Sequence, residues 1–305
     1  MEIKADGRYE GRMIREVLKK DLGYSVNLIK KLKFSPDGIR VNGEWVTVRY
    51  VLKKGDVLSL KTEDGEDEVS PYVIPQDLPV DILYEDEYVT VINKPAGMPS
   101  HPSHGHRLDT AANALAFRYS GRPYVFRPVN RLDKDTSGCM LTANTRDASY
   151  KMYCSMVRGS IKKKYLAVVN GVPEPSGTLI SHMRRKDESI IEREECSEDA
   201  PGAKLAVTSY RVISCTGSHS LLELSPLTGR THQLRVQLAS RGFPITGDSL
   251  YGPSSPLIGR HALHSWTTEF PHPYTGETMR PKAPLPDDMR ELAIALGLDI
   301  SEAEG

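Results

Sequence analysis

The sequence predicts an α+β fold: a large domain on a largely antiparallel mixed sheet, with a small α/β-hairpin domain in front of it. Three observations lead there. Strand-like runs outnumber helical ones, and several follow one another with no helix between them. An Asn-Gly pair, Asn42-Gly43, joins two short strand-like runs near the N-terminus. An acidic stretch followed by Ser-Pro and Ile-Pro, residues 63–77, reads as a linker between a basic front segment and a long remainder.

The front segment, residues 1–62, starts with Met13, Ile14, Val17, Leu18 and Leu22 at helical spacing, and Gly23 is a stop. Ser25 can cap a second helix carrying Leu28, Ile29 and Leu32. IRVNGEWV forms a hairpin around Asn42-Gly43, and LKKGDVLSL closes the unit with another strand. The large domain is expected over residues 78–292, with 293–305 as an acidic tail. YVTVINKP reads as a strand ending at a proline, and TAANALAFRYS and ASYKMYCSMV as helices. IKKKYLAVVNG, AVTSYRVISC and SLLELSPLTG read as strands, and THQLRVQLASRG as a helix ending at Gly242. No solenoid repeat is present.

Composition narrows the function classes. The 305 residues are 39% hydrophobic and 26% charged, the profile of an ordinary globular protein. No apolar run is long enough for a transmembrane helix, and the opening MEIKADGRYEGR lacks the apolar core of a signal peptide. Four cysteines without a CxxC pair are expected as free thiols in a reducing cytoplasm. The net charge is zero, but residues 1–62 carry 14 Lys/Arg against 8 Asp/Glu. That basic end offers either a phosphate-binding face, on which Lys30 and Lys31 are candidates, or a solvated helix surface.

Two Arg-Leu-Asp phrases compete for chemistry. Asp109, in HRLDT, stands directly before a helical pattern, where a carboxylate can accept first-turn N–H groups. Asp133, in VNRLDKDTSGCML, has no helix to cap and leads into a tight polar turn. An Asx-turn is one reading of it. The other uses Arg131, two residues earlier, and the later GRTHQLRVQLA, where Arg230 and Arg235 bracket a helix start. An arginine beside a carboxylate keeps it ionised and fixes its direction, as a nucleophile or general base requires. HPSHGH, residues 101–106, lacks the cysteine or carboxylate partners of a zinc site, so no metal is expected. No GxGxxG or P-loop pattern is present, so no nucleotide cofactor is expected either. His232, at a helix start, is read as orienting its loop.

VNRLDKDTSGCML, IKKKYLAVVNG, LTGRTHQLRVQLA, GFPITGDSLYG and RHALHSWTTEFPHPYTGETMRPKAPLPDD, in that order, resemble the RluA/RluD-type pseudouridine synthases. VINKPAGMPSHP followed by TAANAL resembles the opening of the same catalytic domain, so the likeness runs from about Leu78 to Met289. The front segment resembles an S4 RNA-binding domain. The resemblance implies isomerisation of uridine in RNA, with the base detached from C1′, rotated and rejoined through C5. Such a reaction needs no redox partner, ATP or metal. It implies Asp133 as the catalytic aspartate, with attack at C1′, addition at C6 and removal of the 2′-proton all open as roles. Arg235 matches the arginine paired with it, Tyr165 the tyrosine packed on the target base, and Arg131 a residue holding RNA with its nucleotide flipped out. Arg230 is a further RNA-binding candidate, with support of its own loop as the alternative. The family phrase usually begins His-Arg-Leu-Asp; Asn130 stands in that histidine's place here and joins the expected RNA-binding set. The literal His-Arg-Leu-Asp at 106–109 lacks the Asp-Thr-Ser-Gly continuation. The expected partner is RNA, large-subunit ribosomal RNA first and transfer RNA second, acted on by a monomer. The rival reading is an RNA-binding protein that keeps the fold without catalysis.

Overall fold

The computed structural model describes residues 1–22, 24, 26–35, 37–61, 69–187 and 189–305. The expected stop at Gly23, the cap at Ser25 and the acidic run from Glu63 to Glu68 lie outside the described residues.

The N-terminal unit has its own sheet and core. Strand β1 (Glu2–Lys4) is followed by a short helix α1 (Ile14–Glu16) that runs into a π-helical turn over Val17–Asp21, and then by α2 (Val26–Phe34). Strands β2 (Ile39–Val41), β3 (Glu44–Trp45) and β4 (Val57–Leu60) complete a sheet in the order β1-β4-β2-β3. Ile14, Val17, Leu18, Leu32 and Leu58 are buried against one another, so the helical spacing in the sequence does mark the core face. Asn42 (φ 52°) and Gly43 (φ 84°) both adopt the left-handed region that a two-residue hairpin turn requires. This small separate sheet fits an S4-like fold. The unit meets the larger one where Tyr24 packs edge-on against Tyr150, with ring centroids 6.0 Å apart.

The larger unit is one mixed sheet flanked by helices. Its strands are β5 (Asp81–Glu85), β6 (Val89–Lys94), β7 (Ser137–Ala143), β8 (Lys162–Asn170), β9 (Ser176–Arg185), β10 (Arg193–Cys196), β11 (Lys204–Cys215), β12 (His219–Pro226), β13 (Leu263–Pro271) and β14 (Thr278–Met279). They run in the order β10-β9-β11-β12-β8-β13-β7-β6-β5, with β14 on β13. Every pairing is antiparallel except β13 with β7, which matches the expected fold class. All seven residues of β7 are buried, because it lies between two strands. Gly138 (φ 106°) marks its closest approach to β13: a Cβ there would lie 2.2 Å from the Ser265 carbonyl oxygen.

Helix α3 (Ala111–Arg118) corrects one expectation. Thr110, not Asp109, is its N-cap, and Asn113 returns a bond to the Thr110 backbone in a capping box. Asp109 sits one residue further out and bonds His106 instead. Helix α4 (Arg146–Val157) is capped by Thr145. Helix α5 (Gln233–Ser240) is buried although its face is polar, because its glutamines are satisfied: Thr208 donates to Gln237 Oε1 at 2.7 Å, and Gln233 donates to the Val207 carbonyl at 3.1 Å.

The C-terminal residues differ from the expected tail. Helix α6 (Asp287–Ala295) runs through residue 292, and Ala293, Leu298 and Ala303 are buried in the main core. A last helix, α7 (Ser301–Glu304), sets Glu302 against Arg211. Burial of these small apolar residues outweighs the acidic character of SEAEG. Similarly, within the expected linker, Val73 packs on the main core and Asn113 donates to the Ile74 carbonyl at 2.7 Å.

Candidate active site

The loop carrying Asp133 is fastened at nearly every residue. The Ser100 hydroxyl donates to the Leu132 carbonyl (2.8 Å) and accepts from the Leu132 N–H (3.2 Å). The fully buried Lys94 ammonium donates to the carbonyls of Pro95, Met98 and Lys134, at 2.7, 2.7 and 2.9 Å. Burial lowers the pKa of this ammonium to about 7. Arg260 donates to the Asp135 carbonyl at 2.9 Å, and Thr136 Oγ1 meets His261 Nε2 at 2.8 Å. One step further, Ser137 Oγ meets His264 Nδ1 at 2.9 Å. Burial lowers both histidines to about 4, so they are neutral at physiological pH.

The Asp133 carboxylate does not close an Asx-turn. The turn uses its backbone carbonyl, which accepts from Thr136 N at 3.1 Å. The side chain instead meets Arg235 of α5: Nη1 donates to Asp133 Oδ2 at 3.3 Å. Arg235 is itself held by a partner that sequence reasoning missed. Its Nε and Nη2 donate to the two oxygens of buried Asp248, at 2.7 and 2.8 Å. Burial pushes the Asp248 carboxyl up, but the hydrogen bonds and charge of Arg235 prevail and hold it below the ordinary carboxylate range. The bidentate pair fixes the guanidinium plane, and the remaining nitrogen is directed at Asp133.

His232 lies near the same oxygen. Its Nε2 lies 3.8 Å from Asp133 Oδ2, and its Nδ1 lies 2.8 Å from the Tyr251 hydroxyl, which accepts from Arg193 N at 2.8 Å. His232 is the N-cap of α5 and has φ 56°, an uncommon conformation for a residue with a Cβ. Burial lowers its pKa. Arg235 and His232 therefore both address Oδ2, and nothing among the described residues bonds Oδ1.

Asp133, His232 and Arg235 line an open cleft of about 770 Å³. Tyr165 on β8 contributes a largely buried ring; burial, and next the nearby Asp133 charge among the raising influences, put its hydroxyl at about 12. Of the candidates read from the sequence, Asn130, Arg131, Asp133, Tyr165, Arg230 and Arg235 all line this cleft. Lys30 and Lys31 do not; they are exposed on α2 of the N-terminal unit. Arg131 is exposed, whereas Arg230 also donates from Nε to the Leu205 carbonyl at 3.0 Å. Asn130 spends both ends of its amide on β7, accepting from Leu141 N (2.8 Å) and donating to the Cys139 carbonyl (3.4 Å). The histidines of HPSHGH part company: His101 packs edge-on against Phe126, and His106 bonds Asp109.

The cleft lining includes six cationic residues (Arg131, Lys134, Lys163, Arg193, Arg230 and Arg235) against one carboxylate, Asp133. In a chain of zero net charge, that concentration suits a polyanion, with the Asp133 carboxylate inside the cleft. The class is thus an enzyme acting on nucleic acid. A family model described as RNA pseudouridylate synthase matches residues 88–240. The "Uncharacterized RNA pseudouridine synthase YjbO" of Bacillus subtilis (strain 168) is 42% identical over 275 residues, covering 89% of this chain and 95% of that one. The "Ribosomal large subunit pseudouridine synthase D" of Xanthomonas campestris pv. campestris is 36% identical over 279 residues, covering 86% and 82%. Among solved structures, human RNA Pseudouridylate Synthase Domain Containing 4 superposes with a TM-score of 0.58 at 27% identity, covering 72% of this chain and 94% of that one. The chain belongs to the RNA pseudouridine synthases, of the RluA/RluD type, and is an isomerase of RNA.

Proposed function

We propose that this enzyme isomerises specific uridines of large-subunit ribosomal RNA, with Asp133 as its catalytic carboxylate. The observation that carries the reading is the pinned carboxylate in a cationic cleft. Arg235 donates to Oδ2, with His232 Nε2 3.8 Å from the same oxygen, and Oδ1 is left for the ribose and base. Isomerisation breaks N1–C1′ and makes C5–C1′. The C5 proton must leave and N1 must gain one, so atoms balance without a co-substrate. Tyr165 provides an aromatic face for the uracil while it is detached. The glycosidic bond is inaccessible in a stacked helix, so the nucleotide must flip, and exposed Arg131 at the cleft is suited to hold the displaced strand. The basic helices of the N-terminal unit, with Lys30 and Lys31, add phosphate contacts outside the cleft.

Large-subunit ribosomal RNA is favoured because relatives named for that activity are 34–38% identical over most of their length. The deciding experiment maps pseudouridine in total RNA from cells with the gene intact, deleted, and restored as wild type or Asp133→Asn. Sites in large-subunit RNA are expected to vanish on deletion and return only with wild type. Loss confined to transfer RNA would move the target, and return with Asp133→Asn would remove the catalytic assignment.

A further inference from the structure

We propose that the Lys163 ammonium is a phosphate-binding group of the cleft, contacting the RNA backbone beside the target nucleotide. The proposal rests on the RNA reading of the cleft and adds a ligand to a residue that no motif assigned.

Three lysines in a row, Lys162 to Lys164, lead into Tyr165 on β8. Strand alternation separates them. Lys162 and Lys164 share the face turned from the cleft, where each has a carboxylate: Lys162 lies 3.2 Å from Glu269 and Lys164 lies 3.1 Å from Glu223. Lys163 shares the other face with Tyr165, and both line the cleft. It is half-buried, whereas the Lys162 side chain is 72% exposed. No carboxylate comes within ion-pair distance of Lys163 among the described residues. Its Nζ lies over Gly229, 3.7 Å from where a Cβ would be, next to Arg230.

A cation withdrawn from water without a partner is costly, and proteins normally pair it or leave it solvated. Both neighbours follow that rule and Lys163 does not. Burial lowers its pKa, and no neighbouring charge opposes that shift. A bound anion would restore the balance. In an enzyme on RNA, the anion that flanks every nucleotide is the phosphodiester, and a compact ammonium on a flexible stem suits it as a point charge. Lys163 and Tyr165 stand two positions apart on one strand face, about 7 Å, roughly the spacing between a base and its own backbone.

The test uses the full chain and a transcript of large-subunit ribosomal RNA, with binding measured across about 50 to 200 mM salt. Lys163→Met should bind on the order of ten-fold more weakly at the low end. Its salt slope should fall by about 0.7, so that the deficit shrinks about 2.5-fold across the range. Lys163→Arg keeps the charge and should restore both slope and pseudouridine formation. A Lys163→Met protein that melts like wild type and keeps the wild-type slope would overturn the proposal. So would a Lys163→Arg protein that binds normally but forms no pseudouridine, because Lys163 would then be a proton carrier. Pseudouridine formation by wild type on the same transcript is scored separately: its failure would remove the functional reading, while the slopes would still report on Lys163.

Discussion

The chain contains Arg-Leu-Asp twice, and the two copies meet opposite fates. At Arg107-Leu108-Asp109 the leucine is 47% exposed and the carboxylate bonds a histidine three residues away. At Arg131-Leu132-Asp133 the leucine is 7% exposed, and the carboxylate meets an arginine 102 residues along the chain. The tripeptide is the same; the clamps differ. Lys94 and Ser100 from one stretch of chain, and Arg260 and His261 from another, hold the second loop and fix where its carboxylate points. Pre-organisation of this kind, rather than residue type, sets the second carboxylate apart from the first.

The largest break in the comparison is chemical. Asp133→Asn should lower pseudouridine formation by on the order of 10⁴-fold or more, with melting unchanged. Next comes the arginine. Arg235→Gln leaves Asp248 buried without its cation, which should cost about 3–5 kcal/mol of stability and be visible as a lowered melting temperature. Adding Asp248→Asn should recover part of that stability but none of the activity, because Asp133 stays without its arginine.

Acid should loosen the Asp133 side of the comparison. His261 and His264 hold Thr136 and Ser137, and the folded chain keeps both neutral down to about 4. In the unfolded chain they take up protons below about 6.5. Their folded values are depressed, so the folded state is fully favoured above 6.5 and loses stability as pH falls towards 4. The loss is on the order of 3 kcal/mol per histidine. Melting at stepped pH should show most of the fall in that window; a flat profile there would contradict the buried neutral assignment. A smaller effect follows from Ser100→Ala, which removes both bonds to Leu132 and should cost about 1–3 kcal/mol. Activity should fall more than stability alone explains, measured as kcat at a temperature where the variant is fully folded. The smallest effect is expected at Asp109→Asn, with activity and melting close to wild type.

What the sequence could reveal follows the range of the interactions. Helices α2, α3 and α4 were legible because their apolar spacing is local, and the Asn42-Gly43 hairpin because its turn chemistry is local. Strand β7 was not. Its residues SGCMLTA read as a turn followed by a few apolar positions, and its burial depends on β13, more than a hundred residues later. Asp133, Tyr165 and Arg235 were found through motif order, but their convergence on one cleft has no signal in spacing. Asp248 carries no mark of its own within GDSLYG, and its bond to Arg235 belongs to tertiary structure alone. Lys94 reads as the end of a strand, although it is the most enclosed cation of the loop clamp. Asp109 was misjudged because both it and Thr110 can cap a helix, and only the reciprocal bond from Asn113 decides between them. The acidic C-terminus looked like a solvated tail because Ala303 is too small to mark a core position by itself.

The most direct test of the central claim compares the two aspartates in one assay. Wild type, Asp133→Asn and Asp109→Asn would be incubated in single turnover with transcribed large-subunit ribosomal RNA, and pseudouridine would be quantified by site. The account predicts that Asp109→Asn matches wild type while Asp133→Asn binds the RNA and forms no product. Product from Asp133→Asn at the wild-type rate, or its loss in Asp109→Asn, would contradict the claim that the clamped copy carries the chemistry.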